Sequence, residues 1–332
     1  MGEFDLISRY FKRPVHHAAL GIGDDCALLQ PAPGTQLAIS CDMLVQGRHF
    51  FADVNPHSLG HKALAVNLSD LAACGAKPLA FTLALALPEA NASWLAAFAQ
   101  GLFELADAHD CELIGGDTTA GPLNICITVF GEVPVINGRS QALLRTGARA
   151  GDDLYVSGTL GDARLALNVQ QGKLPLPEPW LLAARARLER PTPRVALGMA
   201  LRGIASAAID LSDGLIGDLG HVLECSQVGA TLQVDTLVQC IACYPGPIAG
   251  DAGGHIALSV EQWRTLALAG GDDYELLFTA APHQRDAVAH AAQASQTPVH
   301  RVGQIDASPG LRLLDAQGQR LPNHYASFDH FA

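Results

Sequence analysis

Ala207-Ala208-Ile209-Asp210-Leu211-Ser212-Asp213-Gly214-Leu215 opens the clearest strand–helix–strand run of the chain. The apolar residues 207–211 predict a buried strand, and the pattern from Asp213 to Ser226 predicts a helix. A second strand is predicted over 230–234. This order of elements is typical of α/β proteins, which place their ligands at strand ends.

The same alternation of strands and helices is predicted upstream. Leu37 to Ser40 forms a predicted strand that ends at Cys41-Asp42. A helix follows from Pro56 to Cys74, because Asn55 is a good N-cap, proline suits the first helical turn and Gly75 suits the C-terminal cap. The remaining predicted elements are strands over 79–87, 123–133 and 154–156 and helices over 91–109 and 180–189.

A segment rich in Gly, Arg and Ala, 137–152, predicts a connector between two domains, 1–137 and 150–332. The chain has 332 residues, enough for two hydrophobic cores. We therefore expect a two-domain protein of mixed α/β (α+β) class.

Composition excludes several classes of protein. The hydrophobic fraction is 49% and the charged fraction 16%, which excludes a disordered chain. The formal charge of −12 argues against a nucleic-acid groove, which needs clustered Lys and Arg. The acidic start, Met1 to Asp5, is unlike a signal peptide, and the run Leu79 to Leu87 is too short to cross a membrane. We expect a cytoplasmic protein without a membrane partner.

The eight cysteines lie mostly in apolar stretches, which favours reduced thiols over disulfides. Cys240 and Cys243 form a lone CxxC motif. Without a second pair at zinc-finger spacing, a structural role is favoured over a metal or redox role.

Carboxylates next to glycines recur after apolar runs, and they are the predicted functional residues. One such Asp after a strand is usually a turn residue, but five sites of this kind favour a shared function. Helix 56–74 adds Asp70, on one face with Gly60, Ala63 and Asn67, which predicts either a closely packed partner or a solvated face. The five sites are Gly21–Asp25, Cys41–Asp42, Leu113–Asp117, Ile209–Gly214 and Gly270–Glu275.

Oxygen ligands without a His/Cys cluster favour Mg²⁺ over zinc, and Mg²⁺ usually acts with substrate phosphates. A P-loop, a kinase catalytic loop and a GxGxxG motif are all absent from the sequence. An ATP site built from aspartates and metal ions is therefore the predicted chemistry.

The ordered motifs resemble those of the thiamine-monophosphate kinases, a family of the aminoimidazole ribonucleotide synthetase-like superfamily. The resemblance covers almost the whole chain. The motifs that carry it are Gly2–Phe4, Gly21–Asp25, Lys62–Ala73, Gly115–Thr119, Asp210–Leu215, Gly271–Leu276 and Asp329–Phe331.

The resemblance implies an N-terminal ATP/Mg-binding domain that dimerises through its sheet, a C-terminal α+β domain and an active site in the cleft between them. It implies transfer of a phosphoryl group from ATP to thiamine monophosphate by a homodimer, with Asp42, Asp70, Asp117 and Asp210 central to the reaction. The implied metal positions are Asp25, Ser40, Cys41, Asp42, Asp70, Asp117, Asp210 and Asp213. The implied nucleotide contacts are Gly116, Asp117, Arg145 and Ser212, and the implied substrate contacts are His49, Asp272 and Phe328.

Three positions depart from the family pattern. Cys41 replaces the usual Thr, and a thiol is a poor Mg²⁺ ligand, so we expect a backbone carbonyl to serve there. Asp272 is one carbon shorter than the usual Glu, and Phe328 lacks a hydroxyl. Two alternatives are another Mg–ATP enzyme of the superfamily, namely a hydrogenase-maturation dehydratase or the purine-pathway synthetase, and a non-catalytic nucleotide or thiamine-phosphate sensor. The expected C-terminal Cys of the dehydratase is not found, and a full aspartate set disfavours the sensor.

Overall fold

The computed structural model describes residues 2–244 and 258–328. The chain divides into two compact units, Met1–Ala142 and Leu143–Ala332. The closing motif Asp329–Phe331 lies outside the described residues. The functional roles predicted for domains 1–137 and 150–332 stay predictions.

Unit 1 is a sheet packed on two helices, after a short N-terminal helix. Its helices are α1 (Glu3–Tyr10), α2 (Pro56–Ala73) and α3 (Ala92–Ala108). Its strands are β1 (Ala18–Leu20), β2 (Leu28–Leu29), β3 (Thr35–Val45), β4 (Lys77–Leu87), β5 (Glu112–Ala120), β6 (Asn124–Ile136) and β7 (Arg139–Ser140). The main sheet has the order β3-β6-β4-β5, in which β4 and β5 are parallel, and β1 pairs with β2.

Helices α2 and α3 pack closely because both carry glycine at their contact. A Cβ added to Gly60 would lie 2.0 Å from the carbonyl oxygen of Phe98, and one added to Gly101 would lie 1.8 Å from that of His57. The small-residue face of α2 is therefore a packing face, and the solvated-face alternative is wrong for Gly60, Ala63 and Asn67, which are all buried.

Unit 2 contains a seven-stranded sheet in the part of the chain that the structure describes, with the order β14-β13-β10-β12-β8-β11-β9. Its strands are β8 (Asp153–Ser157), β9 (Ala207–Asp210), β10 (Gly229–Gln233), β11 (Leu276–Ala280), β12 (Val299–Asp306), β13 (Gly310–Leu314) and β14 (Arg320–Leu321). Its helices are α4 (Asp162–Gln170), α5 (Glu178–Glu189), α6 (Val195–Ala200), α7 (Leu215–Ser226), α8 (Val234–Gln239), α9 (Val260–Ala269) and α10 (Arg285–Ala294), with a 3-10 turn at Pro282–Gln284.

The predicted strand–helix–strand run is present as β9, α7 and β10, although α7 begins at Leu215 rather than Asp213. The two strands are not neighbours. β9 is an edge strand that pairs with β11, whereas β10 pairs with β12 and β13. The apolar faces of these elements, such as Leu219 of α7 and Leu277 of β11, share one buried core.

Three of the predicted strand-end carboxylates lie elsewhere. β3 does not end at Asp42, because the apolar residues that follow continue to pair with β6 as far as Val45. Asp117 lies inside β5, which continues to Ala120. Gly270–Glu275 precedes β11 instead of following a strand. Asp210 is the last residue of β9, which ends one residue before the predicted end at Leu211.

Candidate active site

The candidate site in unit 1 lies where edge strand β3 meets helix α2. The hydroxyl of Ser40 donates to Oδ2 of Asp70 at 2.5 Å. The backbone N–H of Asp42 donates to Oδ1 of the buried Asn67 at 3.0 Å, while Nδ2 of Asn67 donates to the carbonyl of Ala63. Asn67 thus satisfies an N–H on the sheet edge and fixes the position of Asp42 beside Asp70. Sequence reasoning placed Asn67 on this face but gave it no function.

Cys41 points to the other face of the sheet, because side chains alternate along a strand. Its Sγ lies 3.4 Å from Sγ of Cys126 on β6. The thiol of Cys41 is therefore directed away from Ser40 and Asp70. This agrees with the expectation that any metal contact at Cys41 uses its backbone.

The pairing of the strands places Asp117 on a different face of the sheet from Asp42. Asp117 of β5 pairs with Ala84, which pairs with Cys126 on the face of Cys41. Asp42 pairs with Ile127 on the opposite face. Asp25 is exposed in the segment after β1. The predicted metal roles of Asp25 and Asp117 stay predictions.

His49 lies in the turn after β3. The N–H of Val45 donates to Nδ1 of His49 at 3.0 Å, and the N–H of His49 donates to the carbonyl of Val45. A ring nitrogen that accepts carries no proton, so the neutral ring is protonated at Nε2.

In unit 2, two loops meet at the edge where β9 ends and β11 begins. The N–H of Asp272 donates to the carbonyl of Ser212, and that of Tyr274 donates to the carbonyl of Leu211, both at 2.8 Å. The N–H of Phe328 donates to the carbonyl of Asp213 at 3.0 Å. Five predicted site residues are therefore brought together here: Asp210, Ser212, Asp213, Asp272 and Phe328.

The loop before β11 has an unusual backbone. Asp272 and Tyr274 have φ values of 63° and 50°, which L-residues rarely adopt. The hydroxyl of Tyr274 donates to Oδ1 of Asp272 at 3.3 Å. Strained residues of this kind concentrate at binding sites, where the surrounding structure holds them in place.

A buried ion pair between Glu275 and two arginines holds the loop before β11 in place. Glu275 is fully buried, and its carboxylate accepts from Arg194 twice at 2.6 Å, from Arg187 at 2.7 Å and from Ser157 at 2.6 Å. Arg187 also donates to the carbonyl of Asp273. Sequence reasoning missed both arginines. The position of Glu275 directly before the apolar run 276–278 could have indicated them, because a carboxylate buried at the start of a core strand needs a cationic partner.

Like charges lie close together at the start of α7. Asp218 accepts from the N–H groups of Asp213 and Gly214 at 3.2 Å. Burial, and then the charge of Asp213, raise the pKa of Asp218 to about 7. A bound cation would relieve this repulsion.

The carboxylate and hydroxyl oxygens of these residues are ligands that suit Mg²⁺. Within the described ranges, however, no three His, Cys, Asp or Glu side chains lie close enough together to hold a metal ion by themselves. Mg²⁺ commonly takes one or two carboxylates and completes its shell with water and phosphate oxygens. The Ser40–Asp70 pair and the Asp213 carboxylate each offer a partial shell of that kind.

Arg145 lies at the start of unit 2, where its carbonyl accepts from the hydroxyl of Ser226. Among the described residues its guanidinium contacts none of the predicted site residues, so the nucleotide contacts predicted for Arg145 and Gly116 stay predictions.

The CxxC motif is structural. Cys240 and Cys243 are buried, and their thiols donate to backbone carbonyls. Asp162 accepts from the N–H groups of Ala242 and Cys243, which fixes the loop. Burial raises the pKa of both thiols to about 12, so they stay protonated. None of the eight cysteines, all of them described, is in a disulfide.

Two family models cover most of the chain. The model described as AIR synthase related protein, N-terminal domain, matches residues 23–133, and the C-terminal domain model matches 149–316. The thiamine-monophosphate kinase of Salmonella typhimurium is 46% identical over 100% of this chain and 98% of that protein. The chain belongs to the thiamine-monophosphate kinase family of AIR synthase related proteins.

Solved structures of this family have the same fold. A crystal structure of the thiamine-monophosphate kinase from Stenotrophomonas maltophilia is 46% identical, with a TM-score of 0.81 and 92% of each chain covered. A structure described as AaThiL complexed with AMPPCP and TMP is 27% identical, with a TM-score of 0.73, and 91% of this chain and 89% of that chain are covered. The two-domain fold implied by the resemblance is confirmed. None of the described helices is long and apolar enough to span a membrane.

Proposed function

We propose that this protein transfers the γ-phosphoryl group of ATP to thiamine monophosphate and forms thiamine diphosphate and ADP. Full-length identity of 46% to a thiamine-monophosphate kinase carries the proposal. The contacts among Ser212, Asp213, Asp272 and Phe328 support it, because they gather nucleotide, metal and substrate positions at one sheet edge.

The acceptor in this reaction is a phosphate oxygen, which is already anionic near neutral pH. A residue that removes a proton from the acceptor is therefore not needed, unlike in kinases that act on hydroxyl groups. The barrier comes from bringing two anions together, since two unit charges 4 Å apart repel by about 4 kcal/mol at an effective dielectric constant of 20.

In unit 1, Asp42 and Asp70, with Ser40, would hold Mg²⁺. In unit 2, Asp210 and Asp213 would do so. Mg²⁺ held by these residues would supply positive charge that offsets the repulsion between the phosphates. Asn67 and Ser40 orient the carboxylates of unit 1, so little reorganisation is needed when a ligand binds. We assign Arg145 to the ATP phosphates, because a guanidinium pairs with phosphate in a bidentate way.

At the substrate end, Asp272 would face the cationic thiazolium ring. The hydroxyl of Tyr274 orients the Asp272 carboxylate, and Phe328 offers an aromatic face for stacking. His49 would donate from Nε2 to the substrate. Loss of charge in Asp272→Asn should raise the KM for thiamine monophosphate more than the KM for ATP.

We also propose a homodimer formed through the face of the unit 1 sheet opposite α2 and α3. Leu37, Ile39 and Met43 alternate along β3 on that face, and they are 42%, 60% and 51% exposed. A row of exposed apolar side chains on one face is typical of an interface.

Eight cysteines without a disulfide support a cytoplasmic location.

The direct test incubates purified protein with ATP, Mg²⁺ and thiamine monophosphate and separates the products by chromatography. Thiamine diphosphate and ADP should form in equal amounts, and a chelator should stop the reaction. Unphosphorylated thiamine is the matched control acceptor, because it offers a hydroxyl group in place of a phosphate. Binding of both ligands without turnover would support the sensor alternative instead.

A further inference from the structure

Cys41 and Cys126 form a thiol pair on the face of the unit 1 sheet opposite α2 and α3. Their Sγ atoms lie 3.4 Å apart on the neighbouring strands β3 and β6. Cys41 is exposed and Cys126 is half-buried. The family resemblance, which expects Thr at position 41, gives no reason for a thiol there.

The backbone fixes this contact. Cys41 is directly opposite Thr128, and Cys126 is directly opposite Met43, so the two cysteines are diagonal neighbours. β3 and β6 pair without a bulge over the whole of β3, which prevents the thiols from sliding apart. The two thiols therefore meet in the native register, and only closing the disulfide itself requires β3 to move locally.

Diagonal pairing makes a disulfide possible but strained. Diagonal Cα atoms are usually about 7–8 Å apart, whereas disulfides usually join Cα atoms about 4.4–6.8 Å apart. The sulfur atoms must also close to about 2.05 Å. A disulfide formed under strain is reduced more easily than a relaxed one, so the bond would be reversible.

We propose that Cys41 and Cys126 are a reversible oxidation site, at which a peroxide converts the two thiols into a disulfide that lowers phosphoryl transfer. The exposed Cys41 attacks one oxygen of hydrogen peroxide, the O–O bond breaks, and Cys41 becomes a sulfenic acid as one water leaves. Cys126 then attacks that sulfur, the S–O bond breaks, and a second water leaves. Two thiols are oxidised and one peroxide is reduced to two waters. A low-molecular-weight thiol reverses the reaction by exchange.

The disulfide affects the candidate site because Cys41 lies between Ser40 and Asp42. Drawing Cys41 toward Cys126 moves the part of β3 that carries these residues, and it shifts Ser40 relative to Asp70. This effect on turnover rests on the proposed function, whereas formation of the disulfide does not. Hydrogen peroxide is small enough to reach a thiol on a face that a second copy covers.

Mass spectrometry tests the site. The native protein is treated with peroxide, its remaining thiols are alkylated, and it is digested without a reductant. We expect a peptide pair joined through Cys41 and Cys126, which disappears after reduction. Cys225 is the internal control, because it is exposed but has no thiol partner among the described residues. In Cys126→Ser, a sulfenic acid at Cys41 should persist and react with a dimedone probe.

Three outcomes would overturn the proposal. The first is equal alkylation of Cys41 and Cys225 after peroxide treatment, with no joined peptides. The second is a Cys41–Cys41 bond between two copies, visible on a non-reducing gel. The third is unchanged turnover in fully crosslinked protein, since we expect a loss that reduction restores and that Cys126→Ser does not show. If the reduced wild type forms no thiamine diphosphate, the proposed function fails, and the joined peptide still decides the site.

Discussion

The hydroxyl of Ser40 lies 2.5 Å from Oδ2 of Asp70, and this hydrogen bond joins edge strand β3 to helix α2. The contact places a neutral donor against a carboxylate that is not fully buried. It orients Asp70 without neutralising its charge. This is the arrangement expected of a carboxylate that binds a cation and must keep its geometry in the absence of that cation.

Asp70→Asn should lower the formation of thiamine diphosphate by at least about 100-fold, because the proposed role of the Asp70 carboxylate is to hold Mg²⁺ at the reacting phosphates. The amide keeps an oxygen that can accept from Ser40, so the circular dichroism spectrum should not change. Glu89→Gln removes an exposed charge of the same unit and serves as the control. Turnover near that of the wild type would remove Asp70 from the mechanism.

Gly101→Ala should destabilise unit 1 although alanine favours helices. The new Cβ would lie 1.8 Å from the carbonyl oxygen of His57, so α2 and α3 must separate, at a cost of about 1–3 kcal/mol. Gly220→Ala in helix α7 is the matched control, because its Cβ meets nothing within 4 Å. That change should stabilise the protein by about 0.5–1 kcal/mol. Urea unfolding measures both, and equal shifts would contradict the close contact.

Local signals in the sequence predicted the elements of the fold well. Asn55 and Pro56 predicted the start of α2, and the side chain of Asn55 does accept from the N–H of His57. The apolar stretches 79–87 and 123–133 predicted strands β4 and β6. These signals act within a few residues of chain, so a single sequence contains them completely.

The ends of strands were harder to predict, because they depend on the partner strand. Asp42 and Asp117 look like strand-end residues, yet β6 and β4 continue to pair beside them. For the same reason the sequence could not show that Cys41 meets Cys126. The register alone decides which side chains share a face.

Glu275→Gln should destabilise unit 2 strongly. The buried carboxylate accepts from Arg187 and Arg194, and a neutral side chain would leave both guanidinium groups without their anion. Breaking such a buried pair costs about 3–5 kcal/mol. Glu261→Gln is the control, because its partner His324 is on the surface and the change should cost less than about 1 kcal/mol. Similar midpoints of thermal unfolding for the two variants would contradict the role of Glu275.

Asp273→Asn should change how stability depends on pH. Burial raises the pKa of Asp273 well above its ordinary value, although the N–H of Gly161 and the charge of Arg187 oppose this. In the unfolded chain the pKa of an Asp carboxyl is about 3.9. Above that pH the folded state therefore binds more protons than the unfolded state, and the free energy of unfolding falls as pH rises. This loss continues until the pH passes the raised pKa of the folded state.

Asparagine keeps an oxygen that can accept from Gly161 but cannot ionise, so the variant should lack this loss. Its free energy of unfolding should therefore rise relative to that of the wild type when urea unfolding is measured at increasing pH between 5 and 8. Asp286→Asn, at an exposed position of helix α10, is the control and should follow the wild type. Parallel curves for Asp273→Asn and the wild type would mean that Asp273 stays ionised in the fold, held by Arg187.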